Sequence, residues 1–333
     1  MTAATTRILL AHTPEMRRNY YGDRALAGLR ALGEVVLHQG AAPLEGEALV
    51  AAARGARIIV ADRQTPGAAV VFERSPDLVA FVRCAVDIRN VDVSAANASG
   101  VLVTRASAGF VPAVTELVVG FLVDLSRGVS SAAAQYHSGK IPAAAMGRQL
   151  SGSTLGVIGY GAIGRRVAAV GVALGMRVLV SDPHARVAEA GVEQRELADV
   201  LAGSDYVVCL AIATEQTENL MDDAAFQRMK NGAFFINVSR GNLVDEAALA
   251  RALDSGRIAG AALDVGRDPD QMPTPSLARR ADVIATPHVG GLTPQAAEHQ
   301  ALETVAQVAE IVKGRAPAGA VNAAKATRLE RLA

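Results

Sequence analysis

The chain has 333 residues, a length typical of about two domains. Half of its residues are hydrophobic and a fifth are charged, and its 33 basic and 33 acidic side chains cancel. No run of like charges stands out in the sequence. Without a basic patch to bind phosphates, we expect neither nucleic acid nor an anionic membrane as a partner. Cys84 and Cys209 lie far apart, which argues against a disulfide framework or a zinc cluster and fits a reducing compartment.

The N-terminal residues carry no basic region followed by a long apolar run, and no apolar stretch approaches the roughly 20 residues of a membrane span. We therefore expect a cytoplasmic protein with no secretory signal and no bound metal.

Short apolar runs and helical periodicities alternate through the first hundred residues. Strands are predicted at 8–11, 34–37, 58–60, 78–82 and 101–103, and helices at 23–32, 45–53 and 94–98. This alternation predicts one small α/β unit.

A long amphipathic helix is predicted over 112–127, and residues 128–152 then lose periodicity, which indicates a surface connection. Beyond a glycine-rich strand–turn–helix, strands are predicted at 178–180, 206–210, 234–237, 258–263 and 283–285, and helices at 195–201, 222–229 and 246–253. Repeated strand–helix–strand order predicts a parallel, doubly wound sheet.

A last helix is predicted after Thr293, which is a suitable N-cap, with Pro294 in the first turn. No strand follows it, so we expect it to pack back on the first unit and make that domain discontinuous. The predicted domains are 1–104 with 293–333, and 105–292. The Ala-rich tail from Gly314 is expected to be loosely held.

The most specific signal is the glycine-rich turn after the predicted strand 155–158. Gly159 permits the turn, Gly161 lets a pyrophosphate approach the backbone, and Gly164 lets the helix pack against the strand. The first N–H groups of the helix then face the phosphates. The predicted cofactor-contacting residues of this turn are Gly159, Gly161, Ala162, Ile163 and Gly164.

Asp182 ends the next predicted strand, 18 residues beyond Gly164. An acid at this place accepts hydrogen bonds from the adenosine ribose and repels a 2′-phosphate, which favours NAD over NADP. Arg186 leaves NADP open, and a plain turn residue before Pro183 is the alternative interpretation of Asp182.

Ligands in open α/β sheets bind beyond the carboxyl ends of the strands, so the polar residues there are the ones to inspect. They lie at 237–241, 264–269 and 286–291, and in the loop 83–92.

With these motifs the chain resembles the D-isomer-specific 2-hydroxyacid dehydrogenase family, which includes phosphoglycerate dehydrogenases and glyoxylate/hydroxypyruvate reductases. The resemblance covers nearly the whole chain. Its most specific parts are LGVIGYGAIG at 155–164, MKNGAFFINVSRGNLVDEAALARAL at 229–253, GRIAGAALDV at 256–265 and TPHVGG at 286–291.

The family implies an α/β fold of two Rossmann-like doubly wound domains, with the NAD-binding domain inserted in a smaller, discontinuous substrate domain. It also implies hydride transfer between NAD(H) and C2 of a small D-2-hydroxy acid or 2-oxoacid, and a homodimer.

The resemblance assigns roles to residues of the second domain. Arg240 would hold the substrate carboxylate and 2-oxo group, His288 would be the acid/base, and Asp264 would lie near the nicotinamide amide. Ser239 and Gly290 complete the expected cofactor site. A planar guanidinium suits a carboxylate, and an imidazole titrates near neutrality, so the assignment is chemically reasonable. A surface arginine and a turn histidine are the plain alternatives, and the other five histidines are expected to be ordinary surface or packing residues.

Two departures from the family pattern stand out. The acidic partner of His288 is expected in a motif like DVFxxEP, but this chain reads DVGRDP, so Asp268 is the catalytic candidate, with Asp270 as the fallback and a solvated loop aspartate as the alternative. We expect Gly266 to supply unusual backbone angles that help Asp268 reach His288.

The second departure lies in the expected substrate loop, which comprises Ala85, Val86 and Asp87. Ala85 and Asp87 stand where the family has glycines, and a carboxylate beside a substrate carboxylate is unfavourable. Either Asp87 turns away to Arg83 or Arg89, or the substrate carries a positive or hydrogen-bond-donating group there.

The leading hypothesis is an NAD-dependent dehydrogenase or 2-oxoacid reductase. One alternative is an NAD(H)-binding sensor or corepressor-like protein with little turnover, suggested by the irregular position of Asp268. Another is phosphoglycerate oxidation, whose phosphate would need extra cations, with Arg83 and Arg105 as candidates.

Overall fold

In the computed structural model, residues 6–332 are described and form two compact units. The first unit contains the residues up to Phe110 and those from Thr293 onward, and the second is Val111–Leu292. The sequence analysis put the domain boundaries between residues 104 and 105 and between residues 292 and 293. The first unit extends to Phe110. Ser107, which follows the last strand of this unit, bonds to Glu303 of the same unit.

The first unit begins with alternating short strands and helices. In chain order they are β1 Arg7–Leu10, α1 Pro14–Tyr20, α2 Gly22–Arg30, β2 Glu34–Leu37, α3 Gly46–Ala52, β3 Ile58–Ala61, α4 Ala69–Arg74, β4 Ala80–Arg83, α5 Val93–Ala98 and β5 Leu102–Arg105. The strands form a parallel sheet in the order β2-β1-β3-β4-β5. Winding changes direction at β1, so the switch point of this sheet lies between β1 and β3.

The second unit repeats the plan with more strands. Its elements are α6 Val111–Arg127, α7 Val129–His137, β6 Thr154–Ile158, α8 Ala162–Ala173, β7 Arg177–Ser181, β8 Val192–Gln194, α9 Leu197–Gly203, β9 Tyr206–Cys209, α10 Asp223–Arg228, β10 Ala233–Asn237, α11 Glu246–Asp254, β11 Ile258–Leu263, α12 Pro275–Ala278 and β12 Val283–Ala285.

These seven strands form a parallel sheet in the order β12-β11-β10-β9-β6-β7-β8. The switch point lies between β6 and β9, and β6 is the strand that runs into the glycine-rich turn. The parallel, doubly wound fold predicted from the sequence is confirmed. Strand β10, in the interior of the sheet, is fully buried and includes Phe235 and Ile236.

The last helix, α13 Pro294–Ile311, begins at the predicted N-cap, where Thr293 Oγ1 accepts from Ala296 N. It packs on α2, and Gly28 of α2 leaves room for the side chain of Val305. Tyr21 and Thr304 join the same contact through a 2.9 Å hydrogen bond between their hydroxyls.

The tail after α13 is bound to the first unit, and the prediction of a loosely held tail is wrong. Arg105 N donates to Gly319 O, Val321 N donates to Val103 O, and Thr104 pairs with Ala320 in an antiparallel bridge. Asn322 is buried, and its side chain bonds to Val103 N, Val101 O and Asn97 Oδ1 at 2.8–2.9 Å. The tail therefore adds a short strand-like edge to β5.

Five short elements were not predicted: α1, α4, α7, β8 and α12. Helix α7, which lies in the predicted surface connection, has no buried residue, so it lacks the apolar stripe on which a sequence prediction depends. Within residues 6–332 no single helix has the length and apolar character of a membrane span, although α6 and α7, bent by 73°, meet that test as a pair.

Replacing Asn322 should destabilise the first unit. Asn322→Ala would leave the buried Val103 N–H and Val101 C=O groups unpaired, and we expect a loss of about 1–3 kcal/mol in the free energy of unfolding, measured by urea titration. Lys325→Ala, an exposed position of the same tail, is the control and should change it by less than about 0.5 kcal/mol. Equal effects of the two substitutions would contradict the anchoring role.

Candidate functional site

The three glycines of the turn after β6 have different surroundings. Gly159 has φ +96°, and a Cβ there would lie 2.7 Å from the main chain of Leu210 and Ala211, in the loop after β9. At Gly164 a Cβ would lie 2.1 Å from the carbonyl oxygen of Gly159. At Gly161 it would meet no atom within 4 Å. Two glycines are thus required by packing at the switch point, and the third leaves open space beside the backbone.

Helix α8 presents free donors at that open space. Its N-cap, Gly161, supplies no side-chain hydrogen bond, and the first helical bond runs from Arg165 N to Gly161 O at 3.0 Å. The N–H groups of Ala162, Ile163 and Gly164 precede that bond and are left for a ligand. Such N–H groups and the helix dipole favour a phosphate, so this turn fits the pyrophosphate of a dinucleotide.

Asp182 lies at the end of β7 beside the same turn. Its Oδ2 accepts from Tyr160 N at 2.6 Å, and its Oδ1 accepts from His184 N and Ala185 N at 2.8 and 3.0 Å. Partial burial acts to raise the pKa of this carboxyl, but the three backbone bonds outweigh it and the pKa is lowered. Asp182 is therefore a fixed negative charge next to the glycine turn, while Arg186 is exposed.

The loop after β10 holds Arg240. The buried Asn237 closes the loop, because its Nδ2 donates to Arg240 O at 3.0 Å and its Oδ1 accepts from Ser239 N at 3.1 Å. Ser239 Oγ donates to Ala211 O at 2.6 Å, which links this loop to the one behind Gly159. The guanidinium of Arg240 donates from Nη1 to Ser239 O at 2.7 Å.

Asp264, at the end of β11, organises the loop after β12. Its side chain is 2% exposed. It accepts from Thr286 Oγ1 at 2.6 Å, from Val289 N at 2.8 Å and from Gly290 N at 2.9 Å. A Cβ on Gly290 would come within 2.8 Å of this carboxylate, so the loop depends on a glycine there. Both oxygens of Asp264 are engaged in holding the loop that carries His288.

His288 lies in that loop with φ +54°, a left-handed conformation that is uncommon for residues other than glycine. Its N–H donates to Asp264 O and Thr286 O at 3.0 and 2.9 Å, which fixes the backbone. Its imidazole Nδ1 lies 2.7 Å from the main-chain carbonyl oxygen of Asp270. A carbonyl only accepts, so the hydrogen-bond network assigns the proton to Nδ1 and leaves Nε2 with a lone pair.

The partner of His288 is therefore a main-chain carbonyl and not the carboxylate of Asp268. Within residues 6–332 the Asp268 side chain makes no hydrogen bond, and its N–H donates to Met272 O at 3.1 Å. The carboxylate of Asp270, the fallback, is exposed. Gly266 contributes close packing and not a positive φ, because a Cβ there would lie 2.6 Å from Pro273 Cα.

The expected substrate loop of the first unit follows β4. In the described part of the chain, the N–H groups of Ala85 and Val86 donate to no other group, so both are available to an acceptor such as a carboxylate. Asp87 pairs with Arg89 at 2.6 Å, and Arg89 Nε also lies 3.0 Å from both carboxylate oxygens. Of the two arginines considered for the Asp87 side chain, Arg89 is the one that forms this ion pair.

Arg83 is buried and cannot serve a phosphate. Its guanidinium and Nε donate to the carbonyls of Asp62, Arg63, Thr65 and Asp87 and to Asn90 Oδ1. Burial lowers its pKa, against the nearby charge of Asp62. Arg83 ties the loop after β3 to the loop after β4, which removes one of the two cations proposed for phosphoglycerate.

Two polar residues at the carboxyl edge of this sheet were missed. His12, expected to be ordinary, is 1% exposed after β1, and Asp62 is 2% exposed after β3, on either side of the switch point. Asp62 Oδ1 accepts from Gln64 N and Thr65 N. In residues 6–332, His12 Nδ1 and Asp62 Oδ2 have no partner. The only sequence signal was their position directly after apolar runs.

The chain is similar to known proteins. Residues 119–290 match the model of the D-isomer specific 2-hydroxyacid dehydrogenase NAD binding domain. The chain is 34% identical over 284 residues to D-3-phosphoglycerate dehydrogenase of Rattus norvegicus, which covers 84% of this chain and 53% of that protein. It is 30% identical over 256 residues to hydroxypyruvate reductase of Thermotoga maritima, covering 75% and 83%.

Among solved structures, D-lactate dehydrogenase from Escherichia coli superposes with a TM-score of 0.79 at 25% identity, over 95% of this chain and 99% of that one. The chain spans about half the length of the phosphoglycerate dehydrogenase that it matches.

Filling the open space at Gly161 should weaken dinucleotide binding without unfolding the protein. Its backbone, φ −74° and ψ −162°, is accessible to alanine, so Gly161→Ala should leave the unfolding midpoint unchanged or slightly raised. We expect the Kd for NADH, measured by fluorescence titration, to rise at least about tenfold, or about 1.4 kcal/mol. Gly120→Ala in α6, also with no atom within 4 Å, is the matched control, and an equal Kd for both variants would disprove the assignment.

The stability of the first unit should fall in mild acid because of His12. Burial lowers its pKa from 6.5 to about 4; Asp62 opposes this shift, and Arg17 and Arg83 add to it. Between these values the unfolded chain binds more protons than the folded one, so stability is full above pH 6.5 and is lost as the pH falls toward 4.

The measurement is the urea midpoint followed by circular dichroism at several values of pH. His12→Asn should flatten the decline, whereas His137→Asn, at an exposed position, should not. Parallel declines in wild type and His12→Asn would show that other groups control the acid sensitivity.

Proposed function

The chain belongs to the D-isomer specific 2-hydroxyacid dehydrogenase family and carries its NAD binding domain, and from this premise we propose that it is an NAD-dependent D-2-hydroxyacid dehydrogenase or 2-oxoacid reductase. The observation that supports the proposal most is the arrangement around His288. Its Nδ1 is held by a carbonyl and its Nε2 is left for a substrate oxygen, in a loop next to those that carry Arg240 and Asp264.

Bound NAD(H) would accept or supply the hydride at C2 of the substrate. The residues proposed to hold the dinucleotide are those of the glycine turn, with Asp182 at the ribose and Ser239, Asp264 and Gly290 on the nicotinamide side. The open space at Gly161 and the free N–H groups of α8 fit this group.

His288 is the proposed acid/base. In the oxidation direction, Nε2 takes the proton of the 2-hydroxyl group, and in the reduction direction the protonated ring returns it to the 2-oxo oxygen. The proton on Nδ1 stays on the ring throughout and is donated in a hydrogen bond to the Asp270 carbonyl oxygen, so the ring keeps its orientation. Such proton transfer typically contributes about 10²- to 10⁴-fold in rate.

Arg240 is the proposed carboxylate ligand. A guanidinium has five donors in a planar fork, a geometry that matches a carboxylate and a neighbouring oxo group at two points, and the bond from Nη1 to Ser239 O at 2.7 Å helps to orient it. Lysine would keep the charge but lose this two-point geometry.

The substrate loop of the first unit is assigned a part in substrate binding. The N–H groups of Ala85 and Val86 are the proposed donors, and the Arg89 ion pair offsets the charge of Asp87. Arg83 is committed to backbone carbonyls, so of the two cations considered for a phosphate only the exposed Arg105 remains, and we favour a small unphosphorylated acid as the substrate. A cytoplasmic location and a homodimer stay proposals.

An NAD(H)-binding sensor with little turnover is the second candidate, favoured by one observation: among the described residues, 6–332, no carboxylate forms a hydrogen bond with His288. The carbonyl can orient the ring, which weighs against this candidate.

Turnover with a panel of 2-oxoacids tests both candidates. His288→Ala should lower kcat about 10²- to 10⁴-fold with the Kd for NADH unchanged, since the imidazole moves only the substrate proton. Arg240→Lys should raise KM and lower kcat/KM about tenfold or more, because a two-point contact is lost. His137→Asn is the exposed-histidine control. Equal, negligible NADH consumption by wild type and His288→Ala would contradict the enzyme hypothesis and favour the sensor.

A further inference from the structure

The residues that orient His288 form an unusual turn. We define it as the 268–272 turn, in which Asp270 has φ +58° and Gln271 has φ +61°. The left-handed conformation is unfavourable for residues other than glycine, so two such residues in succession persist only where surrounding contacts hold them. Here Gly266 N donates to Gln271 O at 2.8 Å, and Asp268 N and Met272 O close the turn at 3.1 Å.

The conformation of this turn aims the Asp270 carbonyl at His288. In the left-handed region the peptide between Asp270 and Gln271 is rotated relative to its position in a strand or a right-handed turn, so the direction of that carbonyl depends on the conformation of both residues. The 2.7 Å contact with Nδ1 therefore reports on the state of the whole turn.

The side chain of Gln271 ties the turn to the loop of Arg240. Its Oε1 accepts from Gly241 N at 3.1 Å, and Gly241 directly follows Arg240. Its Nε2 lies 3.5 Å from Asn242 Oδ1, at the outer limit of a hydrogen bond. Gly241 packs closely on Gly266, since a Cβ there would lie 2.0 Å from the Gly266 carbonyl oxygen. One carboxamide thus links the loop of the proposed carboxylate ligand to the turn that orients the proposed acid/base.

We propose that Gln271 is a positioning residue that holds the Asp270 carbonyl against His288 and so keeps the imidazole in the tautomer with its proton on Nδ1. The inference rests on the proposed function for its catalytic consequence only, because the tautomer is a property of the folded protein. A carbonyl partner differs from a carboxylate in that it fixes the ring without adding a negative charge.

The direct test is the tautomer of His288, read from ¹H–¹⁵N correlation spectra of protein labelled at its histidines. His288→Asn identifies the resonance by its loss. In wild type we expect the Nδ1–H form. In Gln271→Ala, which removes the acceptor for Gly241 N, we expect a mixture of tautomers. Gln271→Glu, which keeps an oxygen at the same reach, should restore most of the Nδ1–H form.

Two further variants separate the carbonyl from the carboxylates. Asp268→Asn and Asp270→Asn remove the side-chain charges and leave the main-chain carbonyl in place, so the Nδ1–H form should persist in both. Loss of that form in either variant would show that a carboxylate is the partner, and it would overturn the proposal. Retention of the wild-type tautomer in Gln271→Ala would overturn it equally.

Activity adds a second readout if wild type turns over a 2-oxoacid. Gln271→Ala should lower kcat about 10- to 100-fold with an unchanged Kd for NADH, the range expected when a group that orients a catalytic side chain is lost. Gln216→Ala, the same change at an exposed position of the second unit, is the matched control and should leave kcat unchanged. If wild type proves inactive, the proposed function fails, and the spectra still decide on the positioning role.

Discussion

The buried carboxylate of Asp264 is the contact on which the site of the second unit depends. An unpaired carboxylate at 2% exposure would be strongly unfavourable, and the hydrogen bonds from Thr286, Val289 and Gly290 make its burial possible. The main chain of Asp264 extends the link, because its N–H bonds to Asn237 O and its carbonyl accepts from His288 N. The loops after β10, β11 and β12 are consequently held in one arrangement.

The imidazole of His288 is oriented by the uncharged carbonyl of Asp270, where the carboxylate of Asp268 was expected. Orienting an imidazole requires only an acceptor in line with one ring N–H, and the Asp270 carbonyl meets this requirement at 2.7 Å. The left-handed residues of the 268–272 turn and the close packing of Gly266 against Pro273 are the means by which the carbonyl reaches the ring. In this chain the left-handed conformation of Asp270 and Gln271 thus supplies the acceptor for His288 that a carboxylate side chain was expected to supply.

Charged side chains near the substrate loop of the first unit interact with other groups of the same unit. Arg83 donates to backbone carbonyls, and Arg89 forms an ion pair with Asp87. The N–H groups of Ala85 and Val86, which donate to no other group within residues 6–332, are the donors proposed for the substrate. Recognition by backbone donors is short-ranged and directional, which is consistent with the proposal of a small acid as substrate.

The sequence by itself determined the parallel, doubly wound fold and the glycine turn, because buried strands, amphipathic helices and a turn with required glycines leave local, periodic signals. It also placed Asp182, Arg240 and His288 in the loops after strands, while the roles of Arg240 and His288 came from the family resemblance and stay proposals. Only the tertiary structure decided the partner of His288, the pairing of Asp87 and the burial of Arg83 and His12. Those outcomes depend on the direction of a carbonyl in two left-handed residues and on packing between segments far apart in the chain, and neither has a local signature in the amino-acid order.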